Sequence, residues 1–204
     1  MSYIIDQVLY SIPSYGFNSN IYIFLKKVLI DTGHDNSFAQ KVIDHLKSYN
    51  INLEKIIITH IHPDHSGNAY IFQEAFNADL YVHESIAKKF QKLGDKIHSL
   101  KDGTIIEVDD KNELQVIYTP GHTPSDISIY NEKYKILFSG DCVFAQGSIG
   151  RTDLPGSSHQ KLIESIEKLI KLDVEYLCPG HMAAVTNAKA HINQSLNFAK
   201  RVFY

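Results

Sequence analysis

The chain has 204 residues, 44% of them hydrophobic and 21% charged, the balance of an ordinary globular protein large enough for one sizeable core. Its 20 basic and 23 acidic residues give a formal net charge of −3, which argues against nucleic acid as a partner because phosphate binding calls for a basic face. No apolar run nears the roughly 18 residues of a membrane span, the N-terminus lacks a signal-peptide pattern, and two cysteines, Cys142 and Cys178, make no disulfide framework, so a cytoplasmic protein without a membrane partner is expected.

β-Branched and aromatic runs predict strands at 3–12, 20–25 and 28–31, separated by turn formers such as Pro13, Ser14, Gly16 and Asn18. A helix fits 37–48, with Ser37 as cap and Gln40 as its capping-box partner. Its apolar face is Phe38, Val42, Ile43 and Leu46. The run 55–60 reads as a strand buried on both faces. Helical patterns follow at 67–76 and 84–93, with a short strand at 79–83 between them. Strands return at 104–108, 114–119, 126–130 and 135–141. A helix covers 159–171, a strand 174–181 and a last helix about 188–202. No linker or short repeat interrupts the pattern, so residues 1–204 read as a single domain. Each half is strand-rich first and mixed strand–helix later, which predicts an α/β class with helices covering sheet faces.

Four apolar runs end at a histidine or aspartate. ITH (58–60) opens the loop THIHPDHSGN, TPGH ends at 122, SGD at 141 and CPGH at 181. Ligand sites gather beyond the carboxyl ends of strands, so one site assembled from four segments is expected. Imidazole and carboxylate suit zinc, iron, manganese or nickel. His60 and His62, two apart, fall on one side of an extended stretch, and His122 completes a first centre. Asp64 and His65 lie past Pro63, which bends the loop toward a second centre completed by His181. Asp141 has two oxygens to bridge the pair. Each metal then keeps room for water, as a catalytic site requires.

THIHPDH, TPGHT, FSGD and PGH in that order resemble the metallo-β-lactamase superfamily, over nearly the whole chain from NSNIYIF and LIDTG onward. The resemblance implies a four-layer αββα sandwich. It also implies the same ligand sets: His60, His62 and His122; Asp64, His65 and His181; and Asp141 as bridge. Asp141 stands where true β-lactamases carry a zinc-binding cysteine. GRTDLPGSS (150–158) resembles the glyoxalase II-like hydrolases and the related persulfide dioxygenases. Glyoxalase II proper has a C-terminal helical region that helps hold glutathione. The sequence runs only about two dozen residues past PGH, so that region is expected to be missing. The resemblance further implies a supporting role for Asp31 in LIDTG, accepting a hydrogen bond from a ligand imidazole or a nearby backbone N–H.

Arg151 has two even readings, an ion pair with Asp153 or contact with an anionic substrate group. Cys142 and Cys178 are expected to be buried rather than nucleophilic. His34, His45, His83, His98, His159 and His191 show no clustering and are expected to be surface or satisfied polar residues. Tyr15, Phe17 and Tyr22 flank a loop able to line a substrate pocket, with aromatic core packing the preferred account.

The expected chemistry is metal-dependent hydrolysis of a small-molecule thioester or other acyl compound. Two divalent ions, zinc first with iron or manganese as alternatives, acidify a water whose hydroxide attacks the carbonyl, and Asp64 or a metal-bound water manages the proton. The main rival is a mononuclear iron persulfide dioxygenase. A lactonase is a close variant, and a non-enzymatic binding module would show lost ligands, of which there are none.

Overall fold

Residues 3–12, read above as one strand, fold back on themselves as a hairpin. The structure, a computed structural model, describes residues 2–202. It places β1 at Ser2–Ile5 and β2 at Leu9–Ile12, paired antiparallel. The chain turns at Gln7, whose φ is +59°.

The chain divides into two compact units, the first ending at Leu100 and the second beginning at Lys101. In the first, β3 (Ile21–Phe24) and β4 (Val28–Ile30) extend the antiparallel meander. β5 (Lys55–Ile57), β6 (Asp79–His83) and β7 (Ile97–Leu100) then add in parallel, giving a seven-stranded sheet in chain order. The crossovers carry α1 (Asn36–Ser48), α2 (Pro63–Ser66), α3 (Ala69–Phe76) and a 3₁₀ segment, Glu84–Lys96. α1 buries Ala39, Val42, Ile43 and Leu46, in one cluster with Ile23, Leu29, Ile56 and Leu80 of the strands. Each of the valine, leucine and isoleucine side chains contributes roughly 1.5–3 kcal/mol when taken from water.

The second unit repeats the plan. β8 (Ile105–Asp109), β9 (Asn112–Tyr118), β10 (Ile127–Asn131) and β11 (Ile136–Gly140) form an antiparallel run. α4 (His159–Leu169) crosses to β12 (Tyr176–Pro179), which pairs parallel to β11. α5 (Ala188–Arg201) packs with α4 in a cluster of Leu162, Ile166, Leu169, Ile192 and Ala199. The symmetry read from the sequence is therefore real within each half, antiparallel first and parallel after. Among the described residues, no helix is long and apolar enough to cross a membrane.

Three local expectations need correction. The cap of α1 is Asp35, whose carboxylate accepts from the Phe38 amide at 2.9 Å. Ser37 lies inside the helix and donates to Asp35, while Gln40 bonds Asp44. Asp35 precedes Ser37 and claims the first free amide, so the helix starts one residue early. The pattern at 84–93 becomes 3₁₀ rather than α. The pattern at 67–76 begins only at Ala69, because α2 forms a separate turn started by Pro63.

Candidate metal centre

Parallel strands carry their carboxyl ends to the same side of a sheet, and the candidate ligands sit at those ends. In the first unit β4 leads into Asp31 and β5 into Thr59 and His60. Asp31 donates its backbone N–H to the Ile57 carbonyl at 2.9 Å. Its carboxylate accepts from the Thr59 amide and the Thr59 hydroxyl, each at 2.8 Å, and pairs with His65 Nδ1 at 2.7 Å. Asp31 is buried with φ +60°, a conformation aspartate tolerates better than most residues. The Thr59 hydroxyl also lies 3.2 Å from His60 Nδ1. Both contacts occupy the Nδ1 side, leaving Nε2 of His60 and His65 as the donor atoms to a cation.

The side chains of this unit able to hold a metal ion are His60, His62, Asp64 and His65. His60 Nε2 faces His62 Nδ1 at 3.1 Å, and His65 Nε2 lies 3.6 Å from Asp64 Oδ2. The loop is held in place by the Ser19 amide, which donates to the Asp64 carbonyl at 3.0 Å, and by Thr32, whose amide and hydroxyl both donate to the His65 carbonyl at 2.8 Å.

In the second unit the corresponding side chains are His122, Asp141 and His181. Asp141 follows β11 and His181 follows β12, the parallel pair; His122 follows β9. One oxygen of Asp141, Oδ2, lies 3.5 Å from His122 Nε2 and 3.6 Å from His181 Nε2. His122 Nδ1 donates to the Arg151 carbonyl at 2.8 Å, so in the neutral ring the lone pair lies on Nε2. The ring of Phe144 meets His181 edge-on at 6.0 Å.

Two of the motif glycines are steric requirements. A Cβ on Gly121 would stand 2.5 Å from the Leu162 Cα of α4, and one on Gly150 would stand 2.0 Å from the Asp141 carbonyl oxygen. TPGH and GRTD therefore need glycine where the chain passes against its own backbone.

The donor set fits divalent metal. Two ligand atoms each about 2.0–2.2 Å from one zinc, at angles from square to tetrahedral, lie about 2.9–3.6 Å apart. The four ligand-pair distances just given, 3.1, 3.5, 3.6 and 3.6 Å, fall in that range. A single Asp141 oxygen near two imidazoles is the geometry of a shared carboxylate.

Of the remaining residues, Arg151 holds Asp153 through two bonds of 2.9 and 2.8 Å, which is the ion-pair reading. The guanidinium lowers the Asp153 carboxyl pKa below its ordinary value. Cys142 and Cys178 are buried, and burial pushes both thiols up, so neither is a nucleophile. His98 pairs with Asp79 at 3.1 Å and His83 with Ser85 at 2.8 Å, the satisfied state expected of them.

The preference for core packing of the aromatics fails for two of three. Tyr22 is core, but Tyr15 is 82% exposed and Phe17 90%. The same turn is anchored by Asn18, which is buried. Asn18 Oδ1 accepts from the His34 and Asp35 amides at 2.7 and 2.9 Å. Tyr15 and Phe17 line a cleft of about 690 Å³ with His34, Asp35, Phe38 and Lys41. The sequence shows Asn18 only as a turn former; its place in NSN before a buried strand is the available signal. Thr59 and Asp126, which accepts from the Thr123 amide at 2.6 Å and shapes the loop after His122, were missed as well.

Histidine and aspartate sets at strand ends, in an α/β chain, define a protein equipped for divalent metal. The chain belongs to the metallo-β-lactamase superfamily, whose family model matches residues 15–181, and it has the metallo-β-lactamase fold. The hydroxyacylglutathione hydrolase GloC of Haemophilus influenzae is 30% identical over 177 residues, 78% of this chain and 81% of that protein. The solved BLEG-1 B3 metallo-β-lactamase is 28% identical with a TM-score of 0.78, covering 97% of this chain and 100% of that one. TTHA1623, solved in a di-iron-bound form, is 26% identical with a TM-score of 0.72, covering 88% of this chain and 96% of that one.

Proposed function

We propose that the chain is a dinuclear metal-dependent hydrolase that cleaves a thioester of the hydroxyacyl-thiol kind, residues 1–204 acting as one catalytic domain. His60, His62 and His122 hold one ion, Asp64, His65 and His181 the other, and Asp141 bridges them. The observation that carries this reading is the Asp141 oxygen set between His122 and His181 Nε2, together with the fixed tautomers of His65 and His122. The name of the Haemophilus relative supports the thioester, and the di-iron form of TTHA1623 supports two metals. Zinc suits the imidazole and carboxylate donors, with iron and manganese the alternatives.

Bound there, divalent ions supply Lewis acidity, which brings a water's pKa toward neutrality and polarises a carbonyl. The chain does the rest. Asp31 and the Arg151 carbonyl keep the proton of His65 and of His122 on Nδ1. Asp64, half-buried at the loop, takes the proton released from water on a carboxylate oxygen and returns it to the departing sulfur, yielding acid and thiol. The cleft lined by Tyr15, Phe17, Phe38 and Lys41 offers the substrate apolar contact and a cation. Arg151 is the second substrate contact, reached by exchanging Asp153 for an anionic group.

Protein purified without chelator is expected to carry two divalent ions per chain and to hydrolyse thioesters faster than lactones. Elemental analysis with a panel of thioesters, lactones and persulfides decides it. One iron per chain with oxygen uptake on a persulfide, and no thioester turnover, would sink the reading in favour of a dioxygenase.

A further inference from the structure

Two of the histidines outside the cluster lie against the segment that steadies His122. His191 Nδ1 accepts from the Gln146 amide at 3.0 Å. His159 bridges two elements, with Nδ1 2.8 Å from the Thr152 hydroxyl and Nε2 2.8 Å from the Ala199 carbonyl. A carbonyl only accepts, so Nε2 carries the proton, and in the neutral ring Nδ1 accepts from Thr152. Thr152 follows Arg151, whose carbonyl accepts the hydrogen bond from His122 Nδ1–H. Ser195 adds a further tie, donating to the Ser148 carbonyl at 2.9 Å. The segment 146–152 is thus fastened to α5 at Gln146, Ser148 and Thr152, the last through His159.

We infer that His159 is a positioning residue for the metal ligand His122. It stands at the first turn of α4 and reaches the last turn of α5, where carbonyls have no helical partner. Its grip on Thr152 fixes the Arg151 carbonyl, and that carbonyl fixes the His122 ring and its tautomer. Gly150, pressed between the Asp141 carbonyl and the His122 side chain, leaves no slack, so a shift at Thr152 is felt at His122. The inference rests on the metal-holding role proposed above for His122. A ring that merely closed the end of α5 would contribute stability and nothing to the metal.

The test is zinc affinity of the full chain, stripped and then titrated against a competing chelator. His159→Ala and Thr152→Val are each expected to weaken zinc about tenfold, the lower end for partners of a metal ligand. The double variant is expected to be no weaker than either single one, because both break one connection. His159→Asn, which keeps an acceptor facing Thr152, is expected to recover most of the affinity. Tyr130→Phe, which removes a bond to the Asp173 carbonyl far along the chain, is expected to lower the unfolding midpoint without moving zinc. If His159→Ala lowers the midpoint while zinc affinity stays within twofold of wild type, the ring is a helix cap only and the inference falls. If that variant does not fold, the near-isosteric Thr152→Val gives the same two outcomes. Wild-type protein that takes up no zinc overturns the metal site itself, and the role of His159 with it.

Discussion

Replacing His62 by alanine is expected to remove metal and turnover together while leaving the fold. His62 is half-buried and its backbone carbonyl, which accepts from the His65 and Ser66 amides, is unchanged by the substitution. What disappears is the Nδ1 that faces His60 Nε2 at 3.1 Å. With one of the three nitrogens proposed for the first ion gone, that ion is expected to be held too weakly to persist, and its Lewis acidity is lost with it. A loss in kcat/KM of at least about 1,000-fold is expected, about 4 kcal/mol at 1.36 kcal/mol per decade. Metal content and kinetics measured on the same sample check it, with circular dichroism to confirm the fold. A variant with full turnover would remove His62 from the ligand set.

Asp31 gives the second large effect, and here the fold suffers too. Three donors converge on its carboxylate within 2.8 Å, and the residue is buried. Asp31→Ala strands those donors and places alanine at φ +60°, so a stability loss on the order of 3–5 kcal/mol is expected. Asp31→Asn keeps the size and tolerates the backbone angle, but its amide can satisfy only part of the set. It is expected to fold, with zinc bound about 10–100-fold more weakly because His65 loses its orienting acceptor. Urea unfolding for the first variant and chelator competition for the second measure these effects. An Asn variant with wild-type affinity would show that His65 needs no such support.

The contrast between these two residues indicates what a sequence exposes. His60, His62, Asp64, His65, His122, Asp141 and His181 stand out in the sequence because each ends or follows an apolar strand run, continuous in β5, β11 and β12 and alternating in the antiparallel β9. Asp31 was legible only through LIDTG as a family pattern; nothing in its own neighbourhood announces that it touches Thr59, 28 residues away. Arg151 was weighed for its charge, whereas the contact to His122 is made by its carbonyl, a group every residue shares. Backbone acceptors leave no mark in composition.

Elements went astray for similar reasons. The turn at Gln7 has positive φ with no glycine or proline to mark it, so two strands read as one. β7 is four residues, IHSL, too short and polar to rise above its surroundings. Hydrophobicity alone favours the core for Tyr15 and Phe17, yet in their turn it is the polar Asn18 that is buried, held by the His34 and Asp35 amides. His191 looks solitary because its partner Gln146 lies 45 residues off, and His159 because one partner is a backbone carbonyl 40 residues away and the other a lone threonine, Thr152.

Anomalous diffraction from crystals grown with excess zinc puts the whole proposal to one trial. Two peaks about 3.5–4 Å apart are expected, one bonded to His60, His62 and His122, the other to Asp64, His65 and His181, with Asp141 touching both. Ions bound separately by residues 60–65 and by residues 122–181, with no ion shared between those two stretches, would contradict it.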